Sequence, residues 1–437
     1  MVRLRLAVAL SLVGWFPESA FAAAVGNGAG AEPSSDRVAS LTPLTGLASL
    51  TLAAARARAV RVGPPVLAAE RQVELARADV AVAGTLANPT VTVQTTKETS
   101  RLVAGASLPL PIFGQRGKAV AAAEADAGAA TLEREIGVLT ARWSATNAWV
   151  DLWAAQERAE LFSLAADDAR RQKDVARERV EAGSAPRLDL VRATADQVRA
   201  DAEAASARAA VTAAAARLVP WTSPDSAGDP LPPLPRAAGQ PAPPPALPAL
   251  EQVGASSNLA AHPLLRRDRA QVAAAAAHLA AEQRLRMPVP SAEISVDYRD
   301  RTNEDRTDVI GGLSFELPVL SLRGGVIARA RAAHAAAQTT LALDERQLRS
   351  EIGDAHYSSQ AAAGRARALR ESVLPAFEEA AAMAEEAYRA GRVDILRLIE
   401  ARHAVIDARV SALEATTALC HAVADLERAT GRELFAR

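Results

Sequence analysis

Residues 131–153 read TLEREIGVLTARWSATNAWVDLW. Leu132, Ile136, Leu139, Trp143, Val150 and Trp153 follow one another at alternating steps of four and three, with Thr146 in the remaining place. A 3.5-residue period belongs to helices that pack along a coiled-coil seam. Read outward, the helical pattern spans 117–182. A helix of that length extends ~100 Å, far beyond the usual globular helix. The next helical stretch, 187–218, keeps the period with smaller side chains: Leu188, Val191, Ala195, Val198, Ala202, Ala205 and Ala209. Small seam residues let helices approach closely.

Composition agrees. Only 3% of the 437 residues are aromatic, while Ala, Arg, Glu, Leu and Asp dominate long stretches. That favours long helices over a compact core. The formal net charge is -1, from 50 basic and 51 acidic residues of interspersed sign, so nothing points to a nucleic-acid partner. Cys420 is the one cysteine, which excludes an intrachain disulfide and reads as a small core residue. At the start, Arg3 and Arg5 precede an apolar run from Leu6 to Trp15, and Ala20-Phe21-Ala22 forms an A-x-A site. Residues 1–22 are therefore expected to be an export signal removed from the mature chain. Residues 23–50 are small and polar, a flexible N-terminal segment. No later run reaches the ~18 apolar residues of a membrane-spanning helix.

The proline-rich stretch 220–261 is expected to be an extended linker. It divides two repeats, 51–219 and 262–437. Each has a short alanine-rich helix (66–86 and 264–286), a β-hairpin (90–110 and 292–317), a very long helix (117–182 and 325–390) and a final helix (187–218 and 394–430). The two shorter helices together match the long one, so they could stack end to end beside it.

In the hairpins, Val91 and Val93 alternate with threonines, and Leu102, Ala104, Ala106, Leu108 and Leu110 alternate with Val103, Gly105, Ser107 and Pro109. In the second, Ile294, Val296 and Tyr298 lie on one face, and the return strand places Val309, Gly311, Leu313, Phe315 and Leu317 on one side. Period-two segments of ~10 residues suit membrane-barrel strands. They suit equally two soluble hairpins, each laid on a helix. Context separates the two readings: coiled helices offer no sheet to pack on. Four strands cannot close a barrel, which needs at least ~8, and open edges are not allowed in lipid. Several copies must then pool their strands in a ring.

Two local motifs recur. The strand-to-helix junction is Leu108-Pro109-Leu110-Pro111-Ile112-Phe113-Gly114-Gln115-Arg116-Gly117, and its second copy is Phe315-Glu316-Leu317-Pro318-Val319-Leu320-Ser321-Leu322-Arg323-Gly324. Proline ends the strand ladder, and glycine permits the turn into the helix. The helix-to-helix turn is Glu181-Ala182-Gly183-Ser184-Ala185-Pro186-Arg187-Leu188-Asp189-Leu190, repeated as Arg389-Ala390-Gly391-Arg392-Val393-Asp394-Ile395-Leu396-Arg397-Leu398. Here glycine is a helix C-cap, and Asp189 and Asp394 lie near the following helix start, where negative charge is favourable.

With this duplicated layout and these motifs, residues 45–435 resemble the TolC-like outer-membrane efflux proteins, and more closely their heavy-metal (cobalt-zinc-cadmium) branch. The resemblance implies a fold mainly α with a small β part. Its long coiled-coil helices would form a trans-periplasmic α-barrel, and four transmembrane strands per protomer would give a twelve-stranded barrel in a homotrimer. It implies a passive exit duct in outer-membrane lipid that docks on a periplasmic adaptor (membrane fusion) protein and an inner-membrane pump of the RND type. The helix-to-helix turns would be its periplasmic tip, with Gly183, Arg187, Asp189, Gly391, Arg392, Asp394 and Arg397 at a closed aperture. Arg397 stands where an acid is common and Val393 where some relatives carry a base. Asp189 then either pairs with Arg392 or Arg397 across neighbouring helices, or these are ordinary helix-terminal charges in water. Pro111, Gly114, Gly117, Pro318 and Gly324 would shape the strand-to-helix turns.

No catalytic residues, cofactor site or metal site are expected. His262, His278, His334, His356, His403 and His421 are scattered and form no HExxH or cysteine pairing. No serine elbow or Rossmann fingerprint appears. Trp143, Trp149 and Trp153 read as packing. The competing expectation is a soluble periplasmic coiled-coil adaptor or scaffold.

Overall fold

The computed structural model describes residues 49–95, 102–223, 234–244, 246–253, 256–301, 304–315 and 322–435. The expected export signal, most of the segment 23–50 and Pro318 lie outside them. In chain order the elements are β1 (Ser49–Leu50), α1 (Leu52–Val62), α2 (Pro64–Gly84), β2 (Thr90–Gln94), β3 (Leu102–Pro109), α3 (Gln115–Glu181) and α4 (Arg187–Thr222). Then come β4 (Arg236–Ala237), α5 (Leu250–Val253), α6 (Ser256–Ala261), α7 (Pro263–Arg284), β5 (Pro290–Arg301) and β6 (Glu304–Phe315). The chain ends with α8 (Gly324–Ala368), a π-helical turn (Leu369–Val373), α9 (Leu374–Arg389) and α10 (Ile395–Thr430). The fold is mainly α, and α3 alone is 67 residues. Among the described residues no helix is long and apolar enough to cross a membrane.

The hydrophobic centre lies where α3, α4 and α10 meet Leu50, Ala55 and Phe435. Trp149, Leu152, Trp153, Leu218, Val423 and Phe435 pack there. The Trp149 indole N–H donates to the Leu50 carbonyl at 2.7 Å, and Trp143 donates to Asp425 at 2.8 Å. Cys420 is fully buried here, and that burial pushes its thiol up to about 12. The tryptophans and the cysteine are thus packing residues.

Four features depart from the sequence pattern. The long helix expected over 325–390 is interrupted by the π turn. Pro375 explains this: it has no N–H for the Glu371 carbonyl and its ring crowds that oxygen, so the helix widens by a residue just before it. The expected linker is partly built in. Helix α4 runs through Pro220 because Trp221 packs on the Ala59, Val66 and Ala141 cluster. Further on, Arg236–Ala237 pairs in parallel with Ser49–Leu50, and α5 and α6 occupy the end of the stretch. Helix α1, an element absent from the repeat pattern, is capped by Thr51, whose hydroxyl accepts the Ala54 N–H at 3.2 Å.

The fourth departure concerns the seam. Thr146, Val150 and Trp153 are buried as the heptad predicts. A second stripe of small residues, Gly137, Ala141 and Ala145, faces α1 and α2 instead. A Cβ on Gly137 would lie 2.9 Å from the Pro65 carbonyl oxygen. On α4 the roles separate. Ala193, Ala204, Ala207 and Ala214 are buried, whereas Leu188, Val191 and Val198 are 55%, 57% and 60% exposed. Ala195, Ala202, Ala205 and Ala209 are exposed with them. The heptad row of α4 therefore points away from its own chain.

The hairpins join in one antiparallel sheet of order β2-β3-β5-β6. Residues directly opposite share a face. One set of rows runs Val93, Ala104, Val296, Val309 and Val91, Ala106, Ile294, Gly311; the other runs Thr92, Gly105, Ser295, Ile310 and Thr90, Ser107, Glu293, Gly312. One face is apolar across all four strands, and Val91, Val93, Ile294, Val309 and Leu313 on it are exposed. The other is mostly polar, with the Ser314 hydroxyl donating to Glu293 at 2.6 Å.

Candidate functional site

The sequence singles out two kinds of place, and the structure gathers each pair of copies together. At the helix-to-helix turns, both long helices end in the same cap. Gly183 has φ +70° and Gly391 φ +69°. The Ser184 N–H donates to the Arg179 carbonyl at 2.9 Å, and the Arg392 N–H to the Ala387 carbonyl at 2.8 Å. This six-to-one bond closes the last turn and needs the left-handed residue that glycine supplies. The next helices start differently. Asp394 is the N-cap of α10, its carboxylate accepting the Arg397 N–H at 3.1 Å. Pro186 holds that place for α4, and Asp189 sits in the first turn.

Contacts that the motifs do not announce pin the two turns to one another. Ala176 of α3, Ala193 of α4 and Ile395 and Ile399 of α10 form a small buried cluster, with Tyr388 against it. The Arg179 guanidinium lies 4.9 Å over the Tyr388 ring, a cation–π contact. Farther along, His403 Nε2 and Asp196 Oδ1 are 2.7 Å apart and link α10 to α4. The hydrogen bond to Asp196 raises the His403 ring above its ordinary value against the opposing effect of burial, with Asp407 adding to the rise and Arg199 reducing it. This pair stands in a cavity of about 1200 Å³ between α3–α4 and α9–α10. The spacing of Ile395, Leu398 and Ile399 behind Asp394 was the legible trace of this cluster; nothing in the sequence pairs His403 with Asp196.

The charged tip residues face outward. Gly183, Arg187, Gly391, Arg392, Asp394 and Arg397 are exposed. Arg397 lies 3.4 Å from Glu400 of its own helix. Among the described residues, Asp189 and Arg392 make no ion pair.

At the strand-to-helix junctions, the Ile112 N–H donates to the Leu110 carbonyl at 2.8 Å, a three-residue turn centred on Pro111. Gly114 follows with φ +80° and caps α3. The second copy differs. Its left-handed residue is Arg323, φ +54°, while Gly324 is already helical, as is Gly117. Those two glycines are not the turn-makers that the motif suggested. Arg323 is held in place by Glu282, 2.7 Å from its Nη2. The copies also brace each other: buried Gln115 donates to the Met287 and Pro288 carbonyls at 3.4 Å each. Arg116 donates to the Gly84 carbonyl at 2.6 Å and so caps the end of α2.

Among the described residues there is no cluster of three metal-ligating side chains. A family model described as outer membrane efflux protein matches residues 55–221 and 255–432. The cobalt-zinc-cadmium resistance protein CzcC of Cupriavidus metallidurans is 25% identical over 389 residues, covering 88% of this chain and 90% of its own. The crystal structure of CusC aligns with a TM-score of 0.71 at 16% identity, over 87% of this chain and 92% of that one. The open state of the MtrE outer membrane channel of Neisseria gonorrhoeae aligns with a TM-score of 0.65 at 18% identity, over 88% and 89%.

Proposed function

Because the chain belongs to the outer membrane efflux protein family, we propose that three copies pool their sheets into one twelve-stranded barrel and their helices into a duct across the periplasm. It is an efflux channel of the outer membrane and not an enzyme. The observation that carries the trimer is the sheet: one face is apolar over all four strands, and β2 and β6 end it as open edges. Lipid tolerates the apolar face but not the edges, so neighbouring copies must cover them. The outward heptad row of α4 supports the same ring, since a coiled-coil seam needs a partner helix. A soluble adaptor has no use for an apolar face of this extent.

In this reading the two helix-to-helix turns form the periplasmic end, where an adaptor protein docks and an inner-membrane pump of the RND type supplies energy. Among the described residues Asp189 has no ion-pair partner, and it pairs at the closed aperture with Arg392 or Arg397 across neighbouring helices. The cargo is divalent heavy-metal cations; the similarity to CzcC supports this. A passive duct needs no metal-binding motif.

Purification tests it. The mature protein should require detergent for extraction from outer membrane and have the mass of three chains. Asp189→Ala should raise single-channel conductance, and gene deletion should sensitise cells to cobalt, zinc and cadmium. A freely water-soluble monomer would refute the channel; hypersensitivity to organic drugs alone would refute the metal cargo.

A further inference from the structure

A cavity of about 810 Å³ lies between residues 240–244 and 246–247 of the proline-rich stretch, the π turn and α10. That size suits small organic ligands. Much of its wall is apolar, from Pro241, Pro244 and Leu247 on one side to Leu374, Leu413 and Leu419 on the other. Arg367, Arg370 and Glu371 also line it, two cationic groups against one carboxylate. Arg370 Nη2 donates to Thr416 at 3.1 Å. Among the described residues, Arg367 and Glu371 have neither an ion pair nor a hydrogen-bond partner for their side chains.

One further feature, the π turn, marks this cavity as more than a gap. Such turns are rare and frequent at functional sites, and this one carries Arg370 and Glu371 into the cavity wall. The corresponding long helix of the first repeat, α3, runs unbroken. The device is therefore not something the duplicated fold requires.

We propose that this cavity binds an amphipathic organic anion bearing one carboxylate or sulfonate. The acid oxygens accept from the Arg367 and Arg370 guanidinium groups, and the apolar body lies on the prolines and leucines. This stands apart from the channel reading, because the cavity is built within one chain.

The test uses the full-length assembled protein in amphipol, titrated calorimetrically with 8-anilinonaphthalene-1-sulfonate and with N-phenyl-1-naphthylamine, the same skeleton without the sulfonate. The sulfonate should saturate a single site on each chain and bind about tenfold more tightly than the neutral amine. Arg370→Gln, on an exposed side chain, should abolish that preference and leave the amine unchanged. Arg367→Gln, also on an exposed side chain, should weaken the sulfonate and leave the amine unchanged. Equal affinity for the two probes, absence of a saturable site, or an unchanged preference in Arg370→Gln would overturn the proposal.

Discussion

Gly137 marks the closest approach of α3 to the start of α2, and the space there is already taken by the Pro65 carbonyl. Gly128, nine residues earlier on the same helix, has nothing within 4 Å of a Cβ. Alanine at either place gains roughly 0.5–1 kcal/mol of helix propensity. At 137 the backbone must also move, an overpacking cost of about 1–3 kcal/mol. Gly128→Ala should therefore raise the thermal midpoint of the purified protein and Gly137→Ala should lower it; shifts of the same sign would refute the close approach. The sequence did not disclose this contact because heptad reading weighs large side chains, and Gly137, Ala141 and Ala145 carry almost no hydrophobic signal. The same limit hid Arg323. A motif ending in glycine directs attention to Gly324, whereas the left-handed backbone belongs to the arginine before it, at a cost of about 1–3 kcal/mol.

At the scale of elements, alternation was the most informative pattern. It assigns Val309 and Ile310 to opposite faces of β6, although both are more than half exposed in the single chain. Val309 lies in a row of valines and alanine; Ile310 lies opposite Ser295. Arginine on a lipid face costs about 2–4 kcal/mol at mid-membrane, whereas one on the wet face is tolerated. Val309→Arg should deplete the heat-resistant oligomer from outer-membrane fractions, and Ile310→Arg should not. Equal insertion of the two would mean the faces are assigned wrongly. The heptads of α3 and α4 were legible too, but not their partners: a 3.5-residue period announces a seam without saying whether the opposing helix is in the same chain. Only packing distinguishes the buried alanines of α4 from its outward Leu188, Val191 and Val198. The break in the second long helix was in principle readable at Pro375, yet the surrounding alanine-rich period outweighed one residue.

Across the described unit, one ion pair joins the first helix to the last. Arg56 of α1 lies 2.9 Å from Glu427 of α10, with side chains 11% and 7% exposed. Glu427 Oε1 also accepts the backbone N–H of Phe435 at 3.0 Å, and the Arg56 guanidinium sits 5.7 Å over the Phe435 ring. Removing one partner strands a buried charge, at about 3–5 kcal/mol, while replacing both with apolar residues is close to neutral. Denaturant unfolding should show Glu427→Leu strongly destabilised and Arg56→Met with Glu427→Leu largely restored; a double variant as weak as the single would show that the backbone bonds of Glu427, not the pair, hold the terminus.

The sheet ends in two different strands, β2 and β6, so in the proposed ring neighbours would meet head to tail and not by a two-fold exchange. A copy whose β2 rim is spoiled still offers a sound β6, and is recruited before its fault is felt. Such an allele should act as a poison: carried beside the intact gene, it should be dominant, because each defective copy spoils the closure of whatever ring it joins.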